Sequence, residues 1–149
     1  MAVFEDKFME VQADMVSLAL EYVNGNAEKV FIYGVCTSLY SFKALYKING
    51  QYVDINFVND ALSDDQQIKD DNHRLLLQVS KLGISDLQRL KKVCEEYGKE
   101  APKELWLIYN HETKSLESKY EYDDRYQDIN VNPYDEAEKW LQEIKENQL

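Results

Sequence analysis

Apolar residues recur every three or four positions in the first part of the chain. Between residues 3 and 23 they are Phe4, Phe8, Val11, Met15, Leu18, Ala19 and Tyr22. That spacing places one apolar stripe along a helix. Asn24-Gly25-Asn26 follows, and Gly and Asn tolerate the left-handed conformation that ends helices. We therefore predict an amphipathic helix that ends at residue 23.

Three segments rich in β-branched and aromatic residues come next, at 29–37, 41–48 and 51–58. Asn49-Gly50 between the last two favours a type I′ turn, in which both central residues need a positive φ. A two-residue loop then creates four cross-strand pairs on one face: Ile48 with Gln51, Tyr46 with Val53, Ala44 with Ile55 and Phe42 with Phe57. The opposite face is largely polar, so we predict an antiparallel hairpin with one buried face.

Residues 60–98 show helical spacing without strand alternation. Ser63 with Gln66 three positions later, and Ser85 with Gln88, each resemble a capping box that begins a helix. Gly83 interrupts the apolar pattern between them. We predict two helices that are broken near Gly83, with one bent helix as the alternative.

The last third of the chain predicts a second hairpin and a final helix. Its strands are 104–110 and 115–122, and a polar loop spans 123–131. Asn132 as a cap and Pro133 at the first position begin the helix. The buried stripe of that helix is Ala137, Trp140, Leu141 and Ile144.

The order of these elements is α-βββ-αα-ββ-α, with no βαβ repeat. Repeated βαβ units build parallel sheets, so their absence favours an α+β domain. We predict an antiparallel sheet of about five strands with helices packed on one face. At 149 residues, the chain 1–149 has the length of a single domain.

Charge narrows the range of partners. The chain has 17 basic and 28 acidic residues, a net charge of −11. Binding to nucleic acid needs clustered Lys and Arg, so it is disfavoured, whereas a basic protein partner is favoured. Solubility alone is the plainer explanation of an acidic composition.

The first ten residues do not fit a signal peptide, no apolar run is long enough to span a membrane, and the two cysteines make no disulfide framework. These features predict a cytoplasmic protein.

Catalytic and metal-binding signatures are missing from the sequence. The glycines are scattered, and the cysteines and histidines lie at no metal-ligand spacing. We expect Cys36 and Cys94 to be core residues, no cofactor, and no enzymatic activity. The open alternative is a small hydrolase or transferase that uses His73 or His111, because a Cys-His pair meets in space and not in sequence.

The segment 120–134, YEYDDRYQDINVNPY, combines four tyrosines with four acids and a single arginine. Tyrosine is enriched at protein interfaces, and interleaved carboxylates select a basic partner. The alternative is that Tyr120 and Tyr122 complete a sheet face while the acids solvate a loop. The candidate partner-binding residues are Tyr122, Asp123, Asp124, Tyr126, Asp128 and Tyr134.

These features together resemble the YezG-like family of small bacterial immunity proteins, which are antitoxins against secreted toxins. The resemblance is carried by the strands SFKALYKINGQYVDINF, the residues 102–106 that lead into a late strand, Tyr120-Glu121-Tyr122-Asp123, and the Trp-bearing last helix. It implies a non-catalytic protein that binds a cognate basic toxin, often a nuclease, in a stoichiometric complex. The alternative function is a general interaction or regulatory module with an unrelated partner.

Overall fold

Five antiparallel strands form one sheet with three α-helices packed on it in the computed structural model, which describes residues 3–149. The strands are β1 (Lys29–Cys36), β2 (Tyr40–Ile48), β3 (Gln51–Asp54), β4 (Glu104–Asn110) and β5 (Ser115–Glu121). The helices are α1 (Phe4–Tyr22), α2 (Arg74–Glu96) and α3 (Pro133–Glu146). The strand order across the sheet is β3-β2-β1-β4-β5. The predicted α+β class and antiparallel sheet are confirmed.

Helices cover both faces of the sheet. Val30 and Ile32 of β1 face the main core, where α1 and α2 pack. Phe31 of β1 instead contacts a smaller cluster with Leu141 and Ile144 of α3. The expectation that the helices lie on one face thus holds for α1 and α2, whereas α3 lies on the opposite face. The cause is β1 itself, because seven of its eight residues are buried and an apolar strand needs cover on both sides.

The first hairpin has the predicted register over four pairs, from Ile48 with Gln51 to Leu45 with Asp54. The predicted strand 51–58 is wrong beyond residue 54. The Asp54 side chain accepts a hydrogen bond from the Asn56 amide at 2.7 Å, which turns the chain into the 3₁₀-helix Ile55–Asp60. The predicted pairs of Ala44 with Ile55 and Phe42 with Phe57 are therefore absent from the β2–β3 ladder.

The region 60–98 contains one α-helix preceded by 3₁₀ turns. Ser63 and Gln66 form the predicted capping box, but it begins only the single turn Asp64–Gln66. Helix α2 begins at Arg74 and continues through Gly83, so the predicted break there is wrong. A Cβ atom at Gly83 would lie 2.2 Å from Cγ of Phe42. This glycine lets α2 approach β2 closely and does not end the helix.

Among the described residues, no helix combines the length and the apolar character that crossing a bilayer requires.

Candidate partner-binding surface

The predicted binding segment joins β5 to α3 and places its tyrosines in three different surroundings. Tyr122 follows β5, is exposed, and has its ring centre 6.5 Å from that of Tyr120. Tyr126 is half-buried against Tyr33. Tyr134 is 65% exposed in the first turn of α3 and lines a separate cavity beside Leu77. The six candidate residues therefore do not form one continuous patch.

Two of the three candidate aspartates shape the loop. Asp124 Oδ1 accepts a hydrogen bond from the Tyr126 amide at 3.0 Å, which caps the 3₁₀ turn Arg125–Gln127. Asp128 Oδ1 accepts from the Asn130 amide at 2.9 Å. Asp123 is exposed. Within residues 3–149, none of these three carboxylates has an ion-pair partner, so their charge is directed to solvent.

A buried carboxylate anchors this loop to the sheet. Glu104 at the start of β4 is 0% exposed. Arg125 Nε donates to its Oε2 at 2.7 Å, and the Arg125 Nη2 group donates to its Oε1. The Tyr33 hydroxyl also donates to Oε1, and the hydroxyls of Tyr33 and Tyr126 are 2.9 Å apart. Both carboxylate oxygens of Glu104 thus have hydrogen-bond donors, and those from Arg125 fix the loop in place.

The same arginine forms a second ion pair on its outer side. Arg125 Nη1 lies 2.6 Å from Oε1 of Glu136, and Lys139 Nζ lies 3.1 Å from Oε2 of Glu136. The hydrogen bonds to Glu104 raise the pKa of Arg125 above its ordinary value, and those to Glu136 add to that effect. Burial raises the pKa of Glu136, but hydrogen bonds from Lys139 and Arg125 outweigh it, so that this pKa lies below its ordinary value. The one arginine of the loop therefore offsets none of its exposed carboxylates.

This anchor was not predicted from the sequence. The sequence pattern predicts only that Glu104 is the first residue of a strand, because 21 positions separate it from Arg125. The available signal was a lone arginine within an acidic segment, which needs a carboxylate partner when the segment folds against the sheet.

Beside the loop lies a groove on the face of the sheet that carries α3. Helix α3 packs on β1, β2 and β3, where it contacts Phe31, Leu45 and Tyr52. Its Trp140 reaches the edge of β4, and the rest of β4 and β5 borders the groove on this face. The groove has a volume of about 640 Å³. The anchor residues Arg125 and Glu136 line it at the end nearest the loop. The residues that form its floor and sides include Trp106, Ile108, Glu117, Lys119, Trp140 and Glu143.

The groove combines an aromatic floor with charged sides, lined by four carboxylates (Glu117, Glu121, Glu136 and Glu143) and three cations (Lys119, Arg125 and Lys139). Because Arg125 pairs with Glu104 and Lys139 pairs with Glu136, the unpaired groups among the described residues of the groove are three carboxylates and Lys119, so the excess charge is negative. Trp106 stacks against Tyr33 with ring centres 5.3 Å apart, and Lys119 Nζ lies 5.2 Å from the centre of the Trp106 ring. Glu117 and Glu143 have no ion-pair partner in the part of the chain that the structure describes. A surface of this kind suits a partner that brings both apolar and cationic side chains.

The cysteines and histidines lie outside this groove. Cys36 is buried with Sγ 3.8 Å from the Leu87 carbonyl oxygen, and burial raises the pKa of its thiol. Cys94 is buried in the main core, as predicted. His73 is exposed, and His111 Nδ1 lies 3.2 Å from Lys114 Nζ in the β4–β5 turn. Across residues 3–149, no group of three or more His, Cys, Asp or Glu side chains is placed to hold a metal ion.

No protein-family model matches this chain, and a comparison with characterised proteins gives no match either. The similarity to the YezG-like immunity proteins therefore stays a prediction from the sequence.

Proposed function

We propose that this protein is an immunity protein (antitoxin) that neutralises a cognate bacterial toxin by stoichiometric binding. Its partner is a basic protein, such as a nuclease, and binding takes place in the cytoplasm. The observation that carries the proposal is that Arg125 is paired with Glu104 and Glu136, while Lys139 balances Glu136. This pairing leaves the exposed carboxylates of the loop and of the adjoining groove free to attract positive charge.

Rigidity supports a binding role. A loop that is already ordered loses less conformational entropy when a partner binds. Here Glu104 and Tyr33 of the sheet bond to Arg125 and Tyr126 of the loop. Asp124 and Asp128 fix the turns within the loop. Carboxylates on such a loop keep a defined geometry, which favours selective recognition of one basic surface over others.

The electrostatics also support a toxin with a basic site. A nuclease needs a positively charged groove to hold phosphates. An acidic protein that occupies this groove competes directly with nucleic acid, and its field raises the rate of association. With a net charge of −11, the chain has the sign that this competition requires.

A protection assay in cells tests the proposal. The protein is co-expressed with a toxin candidate, a basic protein chosen from the genes beside its own, and survival is compared among variants. In the triple variant Asp123→Lys/Asp124→Asn/Asp128→Asn, the two asparagines retain a side-chain oxygen to accept the loop's hydrogen bonds. The control Asp60→Lys/Asp64→Lys changes the net charge equally, by four units, in the exposed segments that follow β3 at the opposite edge of the sheet.

We expect wild type and the control to protect cells and the triple variant to fail. Equal protection by all three would show that the loop is not the binding surface. Absence of protection by wild-type protein would refute the immunity function with this partner.

A further inference from the structure

The two faces of the sheet are covered unequally. Helices α1 and α2 pack on one face, and α3 alone packs on the other, over β1, β2 and β3. Neighbouring strands are about 4.8 Å apart, so the midline of β4 and β5 lies two and a half strand spacings, or about 12 Å, from β2, the middle of the three strands under α3. Packed helices have axes about 8–10 Å apart. The uncovered strip therefore has the width that one further helix beside α3 would occupy.

Helix α3 presents a matching side to this strip. Glu136, Lys139, Trp140 and Glu143 line the groove, and their steps of three and four place them along one side of the helix. Lys139 is paired with Glu136, which within residues 3–149 leaves Glu143 as the unpaired charge on this side. These four residues span about 10 Å of helix axis at about 1.5 Å per residue. A helix lying against them would contact α3 over about two turns.

The floor of the strip selects the side chains of that helix. Trp106 and Ile108 of β4 and Trp140 of α3 supply apolar surface. Lys119 holds its ammonium group 5.2 Å from the centre of the Trp106 ring, so this exposed side chain must move aside when a helix packs on Trp106. Glu117 and Glu143 stand on opposite sides of the strip and carry unpaired charge among the described residues.

We infer that the groove between β5 and α3 is the docking site for a basic amphipathic α-helix of the partner, whose apolar stripe lies on Trp106, Ile108 and Trp140 and whose Lys or Arg residues face Glu117 and Glu143. This inference rests on the proposed function, because it names the part of the partner that binds. A second copy of this chain is the wrong occupant, since two molecules of charge −11 repel each other.

The chain contains its own reporter for this site. Its two tryptophans are Trp106 and Trp140, and both line the groove. The probe is a synthetic 18-residue Leu/Lys peptide with a helical apolar period. A second peptide of the same composition alternates Leu and Lys, as a strand would. Tryptophan emission, its quenching by acrylamide, and peptide ellipticity are measured during titration into the full-length protein.

Two double variants separate the groove from general attraction. Glu117→Lys/Glu143→Lys reverses the sides of the groove, and Asp60→Lys/Asp64→Lys makes the same change in charge at the opposite sheet edge. We expect the helical peptide to shift tryptophan emission to the blue, reduce quenching and gain helicity with wild type and with the Asp60/Asp64 variant. Binding to the Glu117/Glu143 variant should be at least tenfold weaker.

Three results would overturn the inference. Equal weakening in both double variants would indicate general charge attraction. Equally tight binding of the alternating peptide would indicate strand addition to the edge of β5. Unchanged tryptophan emission would place the peptide elsewhere. If wild-type protein protects cells but the peptide experiment gives any of these results, the assignment of a helix as the bound segment is wrong and the immunity function stands. If wild-type protein does not protect cells but the helical peptide docks in the groove as expected, the immunity function is refuted and the docking site stands.

Discussion

Replacing Arg125 by alanine tests the anchor on which the binding surface depends. In the folded protein, Arg125 is the only cation paired with the fully buried Glu104 within residues 3–149. The substitution leaves the carboxylate with the Tyr33 hydroxyl as its one remaining side-chain donor. The protein must then keep an unpaired charge out of water, protonate it, or open the loop so that water reaches it.

The free-energy cost of replacing Arg125 by alanine depends on how deeply Glu104 is buried and on how easily water reaches it. Breaking a buried ion pair by removing one partner costs about 3–5 kcal/mol. The side chain of Arg125 is itself 37% exposed, so its removal opens a path for water to Glu104. We therefore expect a loss of unfolding free energy at or just below the bottom of that range, about 2–3 kcal/mol. For a domain of this size, that loss lowers the melting temperature by about 5–10 °C.

Urea denaturation and calorimetry measure this change, and two further variants control for the loss of side-chain packing. Arg125→Lys keeps the charge but not the bidentate geometry, so its stability should lie between wild type and Arg125→Ala. Glu104→Gln combined with Arg125→Ala leaves no buried charge and should be more stable than Arg125→Ala alone. A cost below about 0.5 kcal/mol for Arg125→Ala, the size of an ordinary surface substitution, would refute the anchor.

Three further predictions concern packing, pH and the hydroxyl network. Gly83→Ala should destabilise the protein by up to about 2 kcal/mol, because overlap of its Cβ with the Phe42 ring costs about 1–3 kcal/mol and helix propensity returns about 1 kcal/mol; an unchanged urea midpoint would contradict the close packing. The pKa of Glu136 is lowered by folding, so its ionised form contributes stability that is complete above its unfolded pKa and disappears as the pH falls through the folded value. Glu136→Gln should therefore be less stable than wild type at pH 7, with a difference that narrows in acid, and a difference independent of pH would count against the ion pairs. Tyr126→Phe removes the hydroxyl that bonds to Tyr33 and should cost about 1 kcal/mol in thermal or urea unfolding, whereas no loss would remove Tyr126 from the network.

Local signals in the sequence predicted the elements that depend on neighbouring residues. Asn49 and Gly50 both adopt positive φ in the first hairpin. Asn132 Oδ1 accepts from the Asp135 amide at 2.9 Å, and Pro133 begins α3. Turn and cap chemistry is set within four residues, so it can be read without knowledge of the fold.

Tertiary packing decided the features that the sequence did not reveal. The role of Gly83 depends on Phe42, 41 positions away, and only contact in the fold shows that this glycine permits close approach. The position of α3 depends on the distant strand residues that its apolar stripe contacts, because Leu141 and Ile144 pack against Phe31. Strand β3 ends early because the short-range hydrogen bond from Asn56 to Asp54 competes with the ladder.

The candidate site was only partly accessible from the sequence. Composition drew attention to the segment 120–134, and that segment contains the arginine of the anchor. The groove, however, is built from β4, β5 and α3, whose residues meet only in the folded protein. A tryptophan in a late strand and another in the last helix were the available clues, because a large aromatic side chain that is not fully buried often marks a binding surface.

Calorimetric titration of the purified protein with its purified toxin partner, at low and at high salt, measures binding through the acidic loop. We expect saturable binding at a fixed stoichiometry that weakens steeply as salt screens the carboxylates. Binding should be lost in Asp123→Lys/Asp124→Asn/Asp128→Asn and retained in Asp60→Lys/Asp64→Lys. An affinity that is independent of salt and equal in both variants would contradict binding of a basic toxin by this loop.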